Sequence, residues 1–174
     1  MDIQKAYNEW SESYDGDENL TRDLDEKITR ETLANLHFNS ILEIGCGTGK
    51  NTLFLVQIGT GVHALDFSQG MIGKAREKVK AENVHFSIAD LTKRWPCEDN
   101  ACDLITCNLV LEHIEDLSHI FSEAARILQS NSRFFINKLH PFKQYPGGQD
   151  KVGTSLPYNM QVLIDSIPGY PHNY

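Results

Sequence analysis

Ser40-Ile-Leu-Glu-Ile-Gly-Cys-Gly-Thr-Gly-Lys-Asn-Thr52 is the stretch on which the reading of this chain turns. Ile41, Leu42 and Ile44 suit a short buried strand, and Gly45, Gly47 and Gly49 then remove the Cβ at alternate positions of the turn. A helical pattern follows at once, so the stretch reads as strand, ligand loop and helix. Unpaired N–H groups at the start of such a helix favour a carboxylate or a phosphate. A dinucleotide loop is spaced G-x-G-x-x-G, whereas this one is G-x-G-x-G with Glu43 ahead of it, which disfavours a pyrophosphate. Glu43 sits just inside the end of the strand, where a carboxylate needs hydrogen bonds or a positive charge.

Downstream, strand and helix patterns go on alternating, with no internal sequence repeat. Leu53, Phe54, Val56 and Ile58 continue a helix that glycines 59 and 61 end, and Val62 to Leu65 is a short strand closed by Asp66. Phe67-Ser68 opens a turn, Met71 to Lys80 reads as a charged surface helix, and Val84 to Ile88 is a third strand leading to Asp90-Leu91. An acid at the end of the second strand is placed to accept from ribose hydroxyls, and a second acid one strand on suggests one ligand lying across several strand ends. A fourth strand runs from Asp103 to Asn108, a helix from Ile120 to Leu128 and a fifth strand from Ser132 to Leu139. Strands alternating with helical crossovers predict a parallel sheet covered on both faces.

Ahead of the first strand, Ile3, Ala6, Tyr7, Trp10 and Tyr14 recur at helical spacing, and a second helix is expected from about Arg22 to Leu36 with Leu24, Ile28, Leu33 and Leu36 inward. The aromatic positions read either as a packing stripe or as a lid over a ligand. From His140 onward the chain is rich in Pro and Gly, and Met160 to Ile164 is the one stretch with strand character. Strand five needs cover at its edge, from that segment, a second copy or a segment swap.

At 174 residues the chain suits one domain with a substantial core. A net charge of −8 with scattered basic residues argues against a nucleic-acid surface. No apolar run reaches a membrane span and the N-terminus is polar, so a cytoplasmic protein is expected. Cys46, Cys97, Cys102 and Cys107 show neither metal-ligand nor disulfide spacing and read as reduced thiols.

With Glu43-x-Gly45-x-Gly47-x-Gly49, Asp66, Asp90-Leu91 and the Asn108 to Ile114 segment together, the chain resembles a class I S-adenosylmethionine-dependent methyltransferase of the small-molecule type. The resemblance covers about residues 7–140 and includes Trp10-x-x-x-Tyr14-Asp15, which is similar to the cofactor lid of such enzymes. It implies a Rossmann-like three-layer αβα fold with a mainly parallel sheet of order 3-2-1-4-5, the last two of the usual seven strands being missing or replaced. Residues 1–140 would form the cofactor-binding domain, with a helical lid over about 1–38, and 141–174 a short, C-terminally curtailed extension.

By position, the resemblance assigns Glu43, Gly45, Gly47 and Gly49 to the methionine end of S-adenosyl-L-methionine and Asp66 to its ribose. It places Phe67 and Met71 near the adenine, Asp90 and Leu91 on the adenine edge, Asn108 and Leu109 under the methionine and sulfonium part, and Tyr14 above the pocket. His113 and His140 are the candidate proton acceptors for a hydroxyl or acidic carbon. No metal is implied, and the expected partner is a small-molecule methyl acceptor. Alternatives left open are a binding protein that keeps the cofactor site but lacks a complete acceptor pocket, and a nicotinamide-dependent oxidoreductase.

Overall fold

The computed structural model describes residues 3–16, 18–139 and 159–165. Two helices, α1 (Ile3–Trp10) and α2 (Leu20–Leu33), precede β1 (Phe38–Ile44), α3 (Thr52–Ile58), β2 (Gly59–Asp66), α4 (Gln69–Lys78) and β3 (Val84–Ile88). After an irregular segment come β4 (Cys102–Asn108), a 3-10 turn (Leu111–His113), α5 (Leu117–Ile127), β5 (Leu128–Leu139) and β6 (Asn159–Asp165). The sheet order is β3-β2-β1-β4-β5-β6, with the first five strands parallel and β6 antiparallel to β5. The expected 3-2-1-4-5 arrangement is therefore present.

The 159–165 strand covers the edge of β5, pairing Arg133 with Asp165 through to Leu139 with Asn159. Of the covers open to the sequence, the chain supplies one itself. The rest of the 141–174 extension, and His140, lie outside the described residues.

Parallel strands buried on both faces need apolar side chains in both directions, and three apolar clusters among the described residues divide accordingly. Leu42, Ile44, Ile105, Phe134 and Ile136 pack with Ile120, Ala124 and Ile127 of α5 on one face. On the other, Ile41, Val62, Leu104 and Phe135 meet Leu33 of α2 and Phe54, Leu55 and Ile58 of α3. Ala64 and Phe86 meet Ile72 and Ala75 of α4 on that same side. The irregular stretch between β3 and β4 is held by buried Trp95 and by Arg126, whose guanidinium reaches Glu123 at 2.7 Å, Asp99 at 2.7 Å and the Cys97 carbonyl at 2.8 Å.

Several local expectations shift. The first helix stops at Trp10, and α5 and β5 begin earlier than the apolar periodicity suggests. Gly59 does follow the end of α3, but its φ of −113° is extended backbone that starts β2, not a left-handed terminator. A Cβ there would stand 2.6 Å from Ile41 Cδ1, so close packing is what requires the glycine. On α2 the inward stripe is displaced by one residue: Asp25, Thr29 and Leu33 are buried, while Leu24 and Ile28 are only half-buried.

Candidate functional site

A parallel sheet presents all its carboxyl ends on one edge, and the order reverses between β1 and β4, where a crevice opens. Here it is a cavity of about 310 Å³, lined from the turns after β1, β2, β3 and β4 and from the N-terminal helices. The glycine loop forms its floor. Gly45, Gly47 and Gly49 have φ of 73°, 53° and 81°, all in the left-handed region that side chains disfavour. Their surroundings separate three roles. A Cβ on Gly45 would strike Val110 at 2.2 Å and one on Gly49 would press Val79 at 3.1 Å, whereas one on Gly47 meets nothing within 4 Å. Gly47 thus leaves open space on the cavity side of the turn.

Asp66 closes β2 and anchors that turn. It is buried, and its two oxygens accept from the Gly47 and Ser68 N–H groups, each at 2.9 Å. Burial raises its pKa above the usual carboxylate range, and those N–H groups oppose the rise. Asp90, one strand on, is solvated and behaves oppositely: the Thr92 hydroxyl at 2.6 Å and Lys93 at 3.2 Å hold its pKa down. Glu43 is buried with its Oε2 accepting from the Thr52 hydroxyl at 2.5 Å, and burial pushes its pKa up to about 8.

The roof comes from the N-terminus. Tyr7 stacks edge-on against Phe67 and against His113, and its hydroxyl lies 3.0 Å from His113 Nε2. Burial pushes the Tyr7 pKa up to about 12, so it stays a neutral phenol. Tyr14 lies under the Arg22 guanidinium at 4.1 Å, and Asp15 ties the segment down through Lys78 and Thr48, both at 2.6 Å. Asn8 Oδ1 accepts from Ser68 Oγ at 2.6 Å and Gly70 N at 3.1 Å, docking α1 on the start of α4.

Of the residues singled out in the sequence, Tyr14, Glu43, Gly45, Gly47, Asp66, Phe67, Met71, Asp90, Leu91, Asn108, Leu109 and His113 all line this one cavity. Gly49 stands off it, packed on α4, and His140 falls outside the described residues. Leu109 has a φ of 55°, a conformation costly for a residue with a Cβ by about 1–2 kcal/mol, and is held by its N–H on the Asn137 carbonyl at 2.8 Å.

Tyr7, one of the aromatic positions read as a packing stripe or a lid, lines the cavity too, and the lining also contains residues that the motif reading passed over, notably Arg22, Asp25, Lys50 and Asn51. Asp25 is the most consequential. It is 5% exposed and accepts from Asn51 Nδ2 at 2.8 Å, Asn108 Nδ2 at 2.7 Å and Asn137 Nδ2 at 2.6 Å. Asn108 Nδ2 also reaches Thr29 Oγ1 at 2.8 Å. Only the i, i+4, i+8 spacing of Asp25, Thr29 and Leu33 signals this face in the sequence, and it competes with an apolar stripe one residue away.

Comparison with known proteins adds family and fold. A family profile described as "Methyltransferase domain" matches residues 42–136. Among curated proteins, the chain is 30% identical over 179 residues to the malonyl-[acyl-carrier protein] O-methyltransferase of Yersinia pestis, spanning 98% of this chain and 65% of that protein. It is 35% identical over 103 residues to the biotin biosynthesis bifunctional protein BioHC of Saccharophagus degradans, spanning 58% and 18% respectively. The chain thus spans less than two thirds of these relatives. Among solved structures, an S-adenosylmethionine-dependent methyltransferase from Mesorhizobium loti superposes with a TM-score of 0.61 at 26% identity, covering 66% of this chain and 53% of that one. A corresponding protein from Listeria monocytogenes gives 0.66 at 20% identity, covering 78% and 64%.

Proposed function

The chain belongs to the methyltransferase domain family, and on that premise we propose that it transfers a methyl group from S-adenosylmethionine to a small-molecule nucleophile. The observation that carries this reading is the open side of Gly47 beside the strand-terminal Asp66, with Asp90 one strand further on, all lining one cavity. When bound, the cofactor supplies a methyl group on a sulfonium, displaced in line by the acceptor with a neutral thioether as leaving group.

The residues divide the work by chemistry. Asp66, fixed by two backbone N–H groups, keeps lone pairs for ribose hydroxyls. Asp90, held ionised by Thr92, accepts from the adenine amino group beside the Leu91 N–H, while Phe67 and Met71 pack on the ring. Glu43 and the glycine loop take the methionine end, with Asn108 and Leu109 beneath it and Tyr14 closing from above. The lid excludes water and holds the acceptor in line, which is the main catalytic contribution such a displacement needs. His113 is the described candidate for removing an acceptor proton; with Nε2 on Tyr7, its Nδ1 is the nitrogen left for that work. His140 is retained as the second candidate.

Relatives named as O-methyltransferases put carboxylate and hydroxyl acceptors first in a screen. Calorimetric titration with S-adenosylmethionine and S-adenosylhomocysteine tests the site: the wild-type chain binds both, and Asp66→Ala weakens both by about tenfold or more. Folded, cofactor-free protein that binds neither overturns the reading. Binding without transfer across a broad acceptor screen points instead to a non-catalytic binding protein. Pairing of two copies at the outer strand β6 is a separate proposal, and a monodisperse monomer in light scattering contradicts it.

A further inference from the structure

The wall around Asp25 is chemically one-sided. A carboxylate can only accept hydrogen bonds, so the three asparagines that surround it must all present their amide N–H groups. That requirement turns their carbonyl oxygens away from it. Asn51 Oδ1, Asn108 Oδ1 and Asn137 Oδ1 are all buried without a hydrogen-bond partner among the described residues. Asn137 is wholly enclosed, but Asn51, at 9% exposure, and Asn108 both line the cavity alongside Asp25. Buried acceptors left unpaired are expensive, and in a ligand cavity they point to a donor that arrives with the ligand.

We infer that Asp25, with the side-chain carbonyls of Asn51 and Asn108, receives a primary ammonium group, which in the reading proposed above belongs to the amino-acid end of the cofactor. An ammonium brings three N–H donors, no acceptor and a positive charge, matching one carboxylate and two carbonyls. A hydroxyl would leave the Asp25 charge uncompensated, and a quaternary ammonium would leave both carbonyls unpaired. Neighbouring charges do not fill the role. Lys50 is engaged by Asp23 at 2.7 Å and Glu26 at 3.3 Å. Glu43 accepts from Thr52 and, with its pKa near 8, carries a proton at neutral pH; burial raises the Asp25 pKa as well, but there the three amide donors oppose the rise, and an arriving ammonium favours the carboxylate. Asp25 is therefore a recognition residue that aligns the cofactor.

The test uses S-adenosylhomocysteine and its deaminated analogue, which keeps the thioether and the carboxylate, titrated against the wild-type chain and Asp25→Asn. The wild type is expected to prefer the amine by about tenfold or more, as a charge-assisted pair would give, and Asp25→Asn to reduce that preference to within about twofold. Because the readout is a ratio within one protein, partial unfolding of the variant does not mimic the result. An undiminished preference in Asp25→Asn overturns the inference. Should the variant fail to fold, a wild-type preference below about twofold overturns it alone. Failure of the wild type to bind either nucleoside would remove the cofactor reading itself, a distinguishable outcome.

Discussion

The two walls of the cavity are built on opposite plans. On one, formed by the turns after β1, β2 and β3, the strand-end acids are satisfied within those turns: Asp66 by the Gly47 and Ser68 backbone, Asp90 by Thr92 and Lys93. On the other, Asp25 depends on asparagines 26, 83 and 112 residues away. A wall made of strand-end turns is ready as soon as the strands align. A wall made of long-range amide contacts exists only when α2, the glycine loop, β4 and β5 are all in place, so ligand recognition there is tied to completion of the fold.

The sharpest way to break the first wall without touching the second is Gly47→Val. A β-branched residue at φ 53° costs about 1–2 kcal/mol in backbone strain, and its side chain occupies the open space. Calorimetry should show cofactor affinity falling by about a hundredfold or more, with the chain still folded by circular dichroism. Retained affinity would mean that the ligand does not approach this turn.

Asp25→Leu attacks the second wall. It strips the acceptor from three amides, of which, among the described residues, only that of Asn108 keeps another partner, in Thr29. A loss of about 3 kcal/mol in urea denaturation is expected, since unpaired buried polar groups bear their full desolvation cost. A change below about 0.5 kcal/mol would show that the network contributes little to stability.

Between the walls stands Glu43, and its effect has a defined sign. Its pKa is about 8 in the folded chain against an ordinary value of 4.5, so the folded state holds a proton the unfolded state has released. That contribution to stability is complete below about pH 4.5 and declines as pH rises toward 8. Glu43→Gln cannot ionise, so by pH 6 it should already be more stable than the wild type by about 2 kcal/mol, with the gap widening toward pH 8 and the two converging below about pH 4. Parallel denaturation profiles for the two proteins would locate the pH dependence elsewhere.

The smallest effect is expected at the roof. Asn8→Ala removes two hydrogen bonds that dock α1 on the start of α4, weakening the lid by about 1 kcal/mol. Stopped-flow displacement should then show cofactor leaving about three to ten times faster, with unfolding nearly unchanged. An unaltered off-rate would mean that α1 does not gate the site.

What the sequence determined by itself is the part governed by short-range rules. Left-handed turns select glycine, acids at strand ends face a crevice, and alternating strand and helix patterns dictate a parallel sheet; Gly47, Asp66, Asp90 and the parallel character of the first five strands follow from these, while their order was implied by the family resemblance. Tertiary structure alone decided which face of α2 points inward. Apolar periodicity favoured Leu24 and Ile28, yet Asp25 and Thr29 are buried in their place, because Asn51, Asn108 and Asn137 supply donors that offset the cost of burying a carboxylate. The placement of β6 is of the same kind. A short apolar stretch in a Pro- and Gly-rich extension has no pairing partner written into it, and only the unpaired backbone edge of β5 makes it a strand.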